Sequence, residues 1–282
     1  MRALAVFVVC CITASATEPV CAGAWLLPPG KGQAILTTTF ADARKAYDAK
    51  GRLIETPAYG KFETRIYVEH GVLDWLTVVA EGGYMKFSGE AGAFDHLNLL
   101  IDEAKAGLPL SPQAPPGVRY DGLGLGAIGA RTRLFTWNDC IVSLQAGVRA
   151  APPAARRFLD MRDAVQGDVR LLVGRPFELF GLPGFFDAQL GYRSHGQNGD
   201  EIRADFTLGL RPLPPILLLA QSYAGFAPRG GPAGVVAAQK FQLSAVYDMT
   251  ASLSLQLGAI AAIGGVNSPA ERGLISALWW RY

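Results

Sequence analysis

Apolar and polar residues alternate along much of this chain. EIRADFTLGLR, residues 201–211, puts Glu201, Arg203, Asp205, Thr207 and Arg211 on one face and Ile202, Ala204, Phe206, Leu208 and Leu210 on the other. KFETRIYVE at 61–69 sets Lys61, Glu63, Arg65 and Glu69 against Phe62, Thr64, Ile66 and Val68. A period of two is the mark of a strand with two different environments. From Gln33 onward the pattern predicts twelve strands: 33–42, 61–69, 75–87, 121–134, 140–149, 168–177, 185–193, 201–211, 216–224, 239–248, 251–262 and 273–282.

The charged faces decide what surrounds the strands. A soluble sandwich would also alternate, but this chain would have to hide two cores' worth of apolar face. An outer-membrane barrel turns its apolar face to lipid and its charged face to a wet lumen. Closure also pairs the backbone groups that lipid cannot satisfy. The connections after segments 2, 4, 6, 8 and 10 are short and the others mostly long, with the longest loop at 88–120. That asymmetry predicts short periplasmic turns, long outer loops and both termini in the periplasm. Aromatic residues gather at segment ends: Trp75, Phe135, Trp137, Phe185, Phe186, Trp280 and Tyr282 at the short-turn side, and Phe40, Tyr84, Phe87, Tyr192 and Tyr223 at the other. Rings with an apolar body and a polar tip favour the lipid–water boundary. The final GLISALWWRY reads as the closing strand, its aromatics part of the periplasmic girdle. The fold expected is therefore all-β: a single transmembrane antiparallel barrel of about twelve strands.

Composition agrees. Half the residues are hydrophobic, net charge is only +2, and no run approaches the roughly 18 apolar residues of a spanning helix. Near neutrality gives no reason to expect a nucleic-acid partner. The start differs from the rest. Arg2 followed by ALAVFVVCCI has the form of a secretory signal. Small-residue cleavage sites follow at Ala14-Ser15-Ala16 and at Val20-Cys21-Ala22; the second assigns 1–22 to the signal and 23–282 to the barrel. Cleavage there removes Cys10, Cys11 and Cys21 and leaves Cys140, which excludes a disulfide framework within one chain.

GAWLLPPGKGQ at 23–33, GLGLGAIGARTRLF at 122–135, RADFTLGLRP at 203–212 and the terminal ALWWRY together resemble a broad group of little-characterised proteobacterial outer-membrane β-barrels described as transporters, some linked to aromatic-compound and phenol degradation. The resemblance covers most of the mature chain and implies a barrel more firmly than a substrate. Group members often carry acidic residues where this chain has Leu125 and Ala127. The terminal aromatic strand also resembles the signal read by the barrel assembly machinery. It implies a Gram-negative outer membrane, with that machinery engaging the strand that ends at Tyr282 and with lipids and lipopolysaccharide as neighbours.

The alternation assigns Glu63, Arg65, Glu69, Glu81, Arg131, Arg133, Arg149, Arg170, Asp187, Arg193, Glu201, Arg203, Asp205, Arg211, Lys240 and Arg281 to the lumen, together with Lys61 and Asp168. An Arg or Lys facing hydrocarbon near the midplane would cost about 2–4 kcal/mol. Two readings follow: a salt-bridge network that fills the barrel, or a polar pore for small solutes. Arginine outnumbers acid and hints at anions. No covalent chemistry and no cofactor are expected. A barrel-embedded lipid hydrolase is the alternative from another class, and a plugged barrel serving as a structural or interaction platform is a third. RSHGQNGDE carries Ser194 and His195, but Gln197 stands where the outer-membrane phospholipases place their nucleophile. Ser194 and His195 are adjacent, and adjacent residues of a strand point apart. His70, His96 and His195 are scattered among connections and suggest no metal site. FDHLNLLIDEAKAG, 94–107, reads as a short helix in the long loop, resting on the rim or folding inward as a lid.

Overall fold

Alternating segments bounded by Gly, Pro, Asn and Asp can satisfy their backbone groups only by pairing with each other, and they do so around a complete ring. The computed structural model describes residues 23–90, 117–156, 158–159, 161, 163–194, 200–228 and 234–282. Its strands are β1 (Gly32–Tyr47), β2 (Leu53–Leu73), β3 (Leu76–Gly89), β4 (Val118–Trp137), β5 (Cys140–Ala150), β6 (Val165–Leu179), β7 (Leu182–Arg193), β8 (Glu201–Leu213), β9 (Ile216–Ala227), β10 (Val236–Asp248), β11 (Leu253–Val266), the two-residue β12 (Ser268–Pro269) and β13 (Arg272–Arg281). Neighbours pair antiparallel in chain order. β13 joins β11 to β1, and β1 also pairs with β2, so the sheet closes. Twelve strands make the wall. β12 only adds a rung to the outer end of β1. No helix among the described residues is long and apolar enough to cross a membrane, and a barrel crosses with strands.

The strands outrun the predicted segments. β2 has 21 residues and β4 has 20, about twice the 9–11 that span a bilayer. Alternation is enforced only where one face meets lipid, so the sequence pattern marks the membrane belt and fades in the protruding ends. The connection predicted at 88–120 accordingly shortens, since β3 runs to Gly89 and β4 starts at Val118. The helix predicted at 94–107 lies outside the described residues, as do the signal 1–22 and His195–Gly199.

The connections keep the expected asymmetry. Only two residues join β2 to β3, β4 to β5, β6 to β7 and β8 to β9. Asn138 and Asp139 (φ 48° and 64°) and Phe180 and Gly181 (φ 52° and 78°) take the left-handed pairs that twisted two-residue hairpins require. Gly32, at the start of β1, and Tyr282 lie on this short-turn side and exchange backbone hydrogen bonds.

Large apolar side chains face outward. Leu123, Ile128, Leu190, Leu243, Leu257 and Leu274 are each more than half exposed. Trp75, Phe135, Trp137, Trp280 and Tyr282 form the short-turn girdle, and Phe40 and Tyr192 are exposed toward the other end. Three girdle assignments are corrected. Phe185 and Phe87 point inward, 7% and 3% exposed, and Tyr223 shares the inward parity of Gln221. Trp279, too, lies inside, and donates from Nε1 to Gln256 Oε1 at 2.9 Å.

Candidate functional site: the barrel lumen

At the short-turn end the interior is apolar. Phe185, Leu217, Leu219, Val246, Ala277 and Trp279 pack together, with Ile35 and Trp25 against them. Trp25 is not part of the wall. Residues Gly23–Pro28 precede β1 and run inside the barrel, where wall side chains hold their backbone. Ala24 N–H donates to Asp187 Oδ2 at 2.7 Å, and Ser143 Oγ donates to Ala24 O at 2.6 Å. Arg131 Nη1 donates to Trp25 O at 3.1 Å, and Leu27 N–H to Thr77 Oγ1 at 3.1 Å. The Trp25 ring meets Phe185 edge-on at 5.8 Å. Opposite it stands Gly174, where a Cβ would lie 2.6 Å from the indole. The wall has a small residue where the segment needs room. The segment is an internal plug.

Above the plug the inward charges pair. Arg131 and Glu69 form an ion pair at 3.0 Å with side chains 3% and 2% exposed. Arg131 also bonds Gln145 and the Tyr67 hydroxyl, and that hydroxyl donates to Glu69 at 2.6 Å. Arg65 reaches Glu81 at 3.1 Å and Glu63 at 3.6 Å. Arg170 bridges Asp168 and Asp205, while Arg193 bridges Asp168 and Glu201. Arg203 lies 3.9 and 3.8 Å from Glu201 and Asp205. Arg149 has no carboxylate within salt-bridge distance among the described residues, and its Nε is buried without a partner. It borders a cavity of about 90 Å³ with Tyr67, Glu81, Gln145, Asp168 and Arg193. That space suits a few waters.

Toward the long-loop end, Lys61 and Lys240 converge on Glu271, which also accepts from the Tyr59 hydroxyl at 2.7 Å. The connection after β5, with its short helix α1 (Pro153–Arg156), folds into this mouth. Ala155 and Met161 are buried against Leu125, and the Phe158 ring packs tilted against Phe87, centroids 4.8 Å apart. Outside the wall, Phe40, Phe62, Phe241, Leu243 and Leu274 line a lipid-side concavity of about 1220 Å³.

The charges that the alternation assigns to the lumen do not form one site. Glu63, Arg65, Glu69, Glu81, Arg131, Arg149, Arg170, Arg193, Glu201, Arg203 and Asp205 make the central belt. Asp187 belongs to the plug contacts. Lys240 sits at the outer mouth. Arg211 and Arg281 share Asp248 at the short-turn rim, where the exposed Arg133 bonds Asp74 O. The sequence pattern missed the plug, Glu271 and the apolar floor. The floor had a signal in ILLLA at 216–220: both faces are apolar there, so one of them had to be internal. Glu271 stands between strands and has no parity to read.

No protein-family model matches this chain, and no curated protein matches it. Solved structures do. An outer-membrane channel from Pseudomonas putida F1 superposes with a TM-score of 0.64 at 13% identity, over 91% of this chain and 97% of that one. The NanC porin matches with a TM-score of 0.51 at 7% identity, over 88% and 100%. The translocator domain of the autotransporter NalP from Neisseria meningitidis gives 0.50 at 10%, over 89% and 88%. At such identities the shared property is the fold, a closed antiparallel barrel of the outer-membrane kind. Barrels of this kind host different functions, so activity has to be argued from the lumen.

Proposed function

We propose that this protein is an outer-membrane channel for passive passage of small polar solutes, anions preferred, and that the plug Gly23–Pro28 must shift for passage. One observation carries the reading. The central lumen is lined by ionic side chains on strand after strand, yet a six-residue segment held by a few hydrogen bonds blocks its short-turn end. A barrel built only as an anchor would be served by an apolar or uncharged filling. Arg149, which has no carboxylate within salt-bridge distance among the described residues, borders the central cavity and supports the anion preference. The charged belt also accounts for the sequence: ionised groups on inward faces are tolerable because they are hydrated or paired there. Neighbouring lipid, and the barrel assembly machinery acting on the strand that ends at Tyr282, complete the setting this reading requires.

Liposome swelling with sugars, amino acids and small aromatic acids tests it. Protein lacking residues 24–28 is expected to admit small polar solutes several-fold faster than the full barrel, with anions ahead of cations of equal size. If neither protein admits any solute while both are folded and inserted, passive transport is wrong. Release of fatty acid from the same vesicles would favour a lipid hydrolase instead.

A further inference from the structure

The sequence offers cleavage after Ala16 or after Ala22, and the geometry at Gly23 separates them. A Cβ there would lie 2.1 Å from Asp187 Oδ2 and 2.6 Å from Oδ1, so the Gly23 Cα abuts the carboxylate. The Asp187 carboxylate is 2% exposed and receives only neutral donors: Ala24 N–H on Oδ2 and Gln189 Nε2 on Oδ1, both at 2.7 Å. No Lys, Arg or His among the described residues makes a salt bridge to it. Arg131, which holds the plug carbonyl of Trp25, is already paired with Glu69. A buried carboxylate without a cation is a costly arrangement, and proteins rarely keep one unpaired.

We propose that the mature chain begins at Gly23 and that its α-ammonium is the missing partner of Asp187, clasping the plug inside the barrel. The signal peptidase of the secretory pathway would add water across the Ala22–Gly23 amide. Ala22 leaves as a carboxylate, and the freed Gly23 amine takes up a proton. That nitrogen is one bond from the Cα already against Asp187. Cleavage after Ala16 would instead leave an uncharged amide there, with six more residues to house. The inference rests on the plug described above but not on solute passage.

Intact mass of protein extracted from the outer membrane, after expression with its own signal, tests the first half. A mass corresponding to 23–282 is expected, and one corresponding to 17–282 overturns the proposal. The clasp is tested by labelling the α-amine with an amine-reactive ester at neutral pH, using surface lysines as internal reference. Gly23 should label at least tenfold more slowly in the native protein than in Asp187→Asn. Gly23→Ala, which leaves the wall untouched, should label as fast as Asp187→Asn and serves if that variant fails to fold. Equal rates in native and variant protein defeat the clasp. Absence of solute passage with a protected amine would count against the transport reading alone.

Discussion

Arg131 shows how far one residue's role depends on its enclosure. Its guanidinium bonds Glu69, Gln145, the Tyr67 hydroxyl and the plug carbonyl of Trp25, almost without water. Removing one member of such a pair strands the other. Arg131→Met is expected to lower unfolding stability by about 3–5 kcal/mol, because Glu69 is left buried and uncompensated. The double variant Arg131→Met, Glu69→Leu should recover most of that loss. Urea unfolding in detergent micelles measures both, and a double variant no better than the single would contradict the account. Asp48, in the loop between β1 and β2, is an opposite case in open solvent. The backbone N–H of Arg52, the Arg52 side chain and the N–H of Lys50 hold its carboxyl below the ordinary carboxylate range. A lowered folded value means the loop is stabilised above the usual carboxylate pKa and loses that support only as pH falls through the depressed value. The protection of the Lys50 and Arg52 amides against hydrogen exchange should therefore stay constant from neutral pH to pH about 5. It should fail with a midpoint below about 3.9, and a midpoint above that value would reverse the sign.

Among the elements, the plug and its seat on β6 make a separable pair. Gly174 gives Trp25 its place, and a branched side chain there would overlap the indole. The position faces the interior, so the wall itself can carry the change. Gly174→Val is expected to leave the barrel folded, seen as unchanged heat-modifiable migration on gels, while raising single-channel conductance several-fold. Unchanged conductance in the folded variant would mean that the plug seals without Trp25. The sequence announced the strands and not this pair, and the reason is physical. Period-two alternation appears wherever one face meets lipid and the other a polar interior, so 201–211 could be read from its residues alone. GAWLLP has no period, because its backbone is held by side chains on four different strands, β3, β4, β5 and β7. β9 fell between these cases. Its apolar 216–220 run was visible, but only the closed structure shows that Leu217 and Leu219 pack inward on Trp279 while Leu218 faces out. The aromatic assignments failed for a related reason. Phe87 and Phe185 stand near strand ends, as girdle residues do, but their parity sends them to the interior, where Phe158 of the β5–β6 connection and Trp25 of the plug supply apolar partners.

For the molecule as a whole, the decisive variable is the medium that touches the outer rows. Leu257 lies mid-strand on β11, 57% exposed, between Ala245 on β10 and Ser276 on β13. If that surface met water, arginine there would be close to neutral, as most exposed substitutions are. In a bilayer it must leave water for hydrocarbon. Leu257→Arg is expected to cost about 2–4 kcal/mol near the midplane, measured by guanidinium unfolding from phospholipid vesicles. The preceding residue, Gln256, bonds Ser244 and Trp279 on the inward face, so the two sides of one strand follow opposite rules. Outside, charge is penalised and apolar bulk is welcome. Inside, charge is tolerated in pairs and bulk must be matched to the plug. Every wall strand has two neighbours in the closed ring, and the six-residue segment lies inside it without pairing into the sheet. Closure of the sheet thus frees the plug from any structural duty in the wall. If Leu257→Arg proved neutral in vesicles, the outer rows would not be facing lipid, and the division between wall and plug would lose its physical basis.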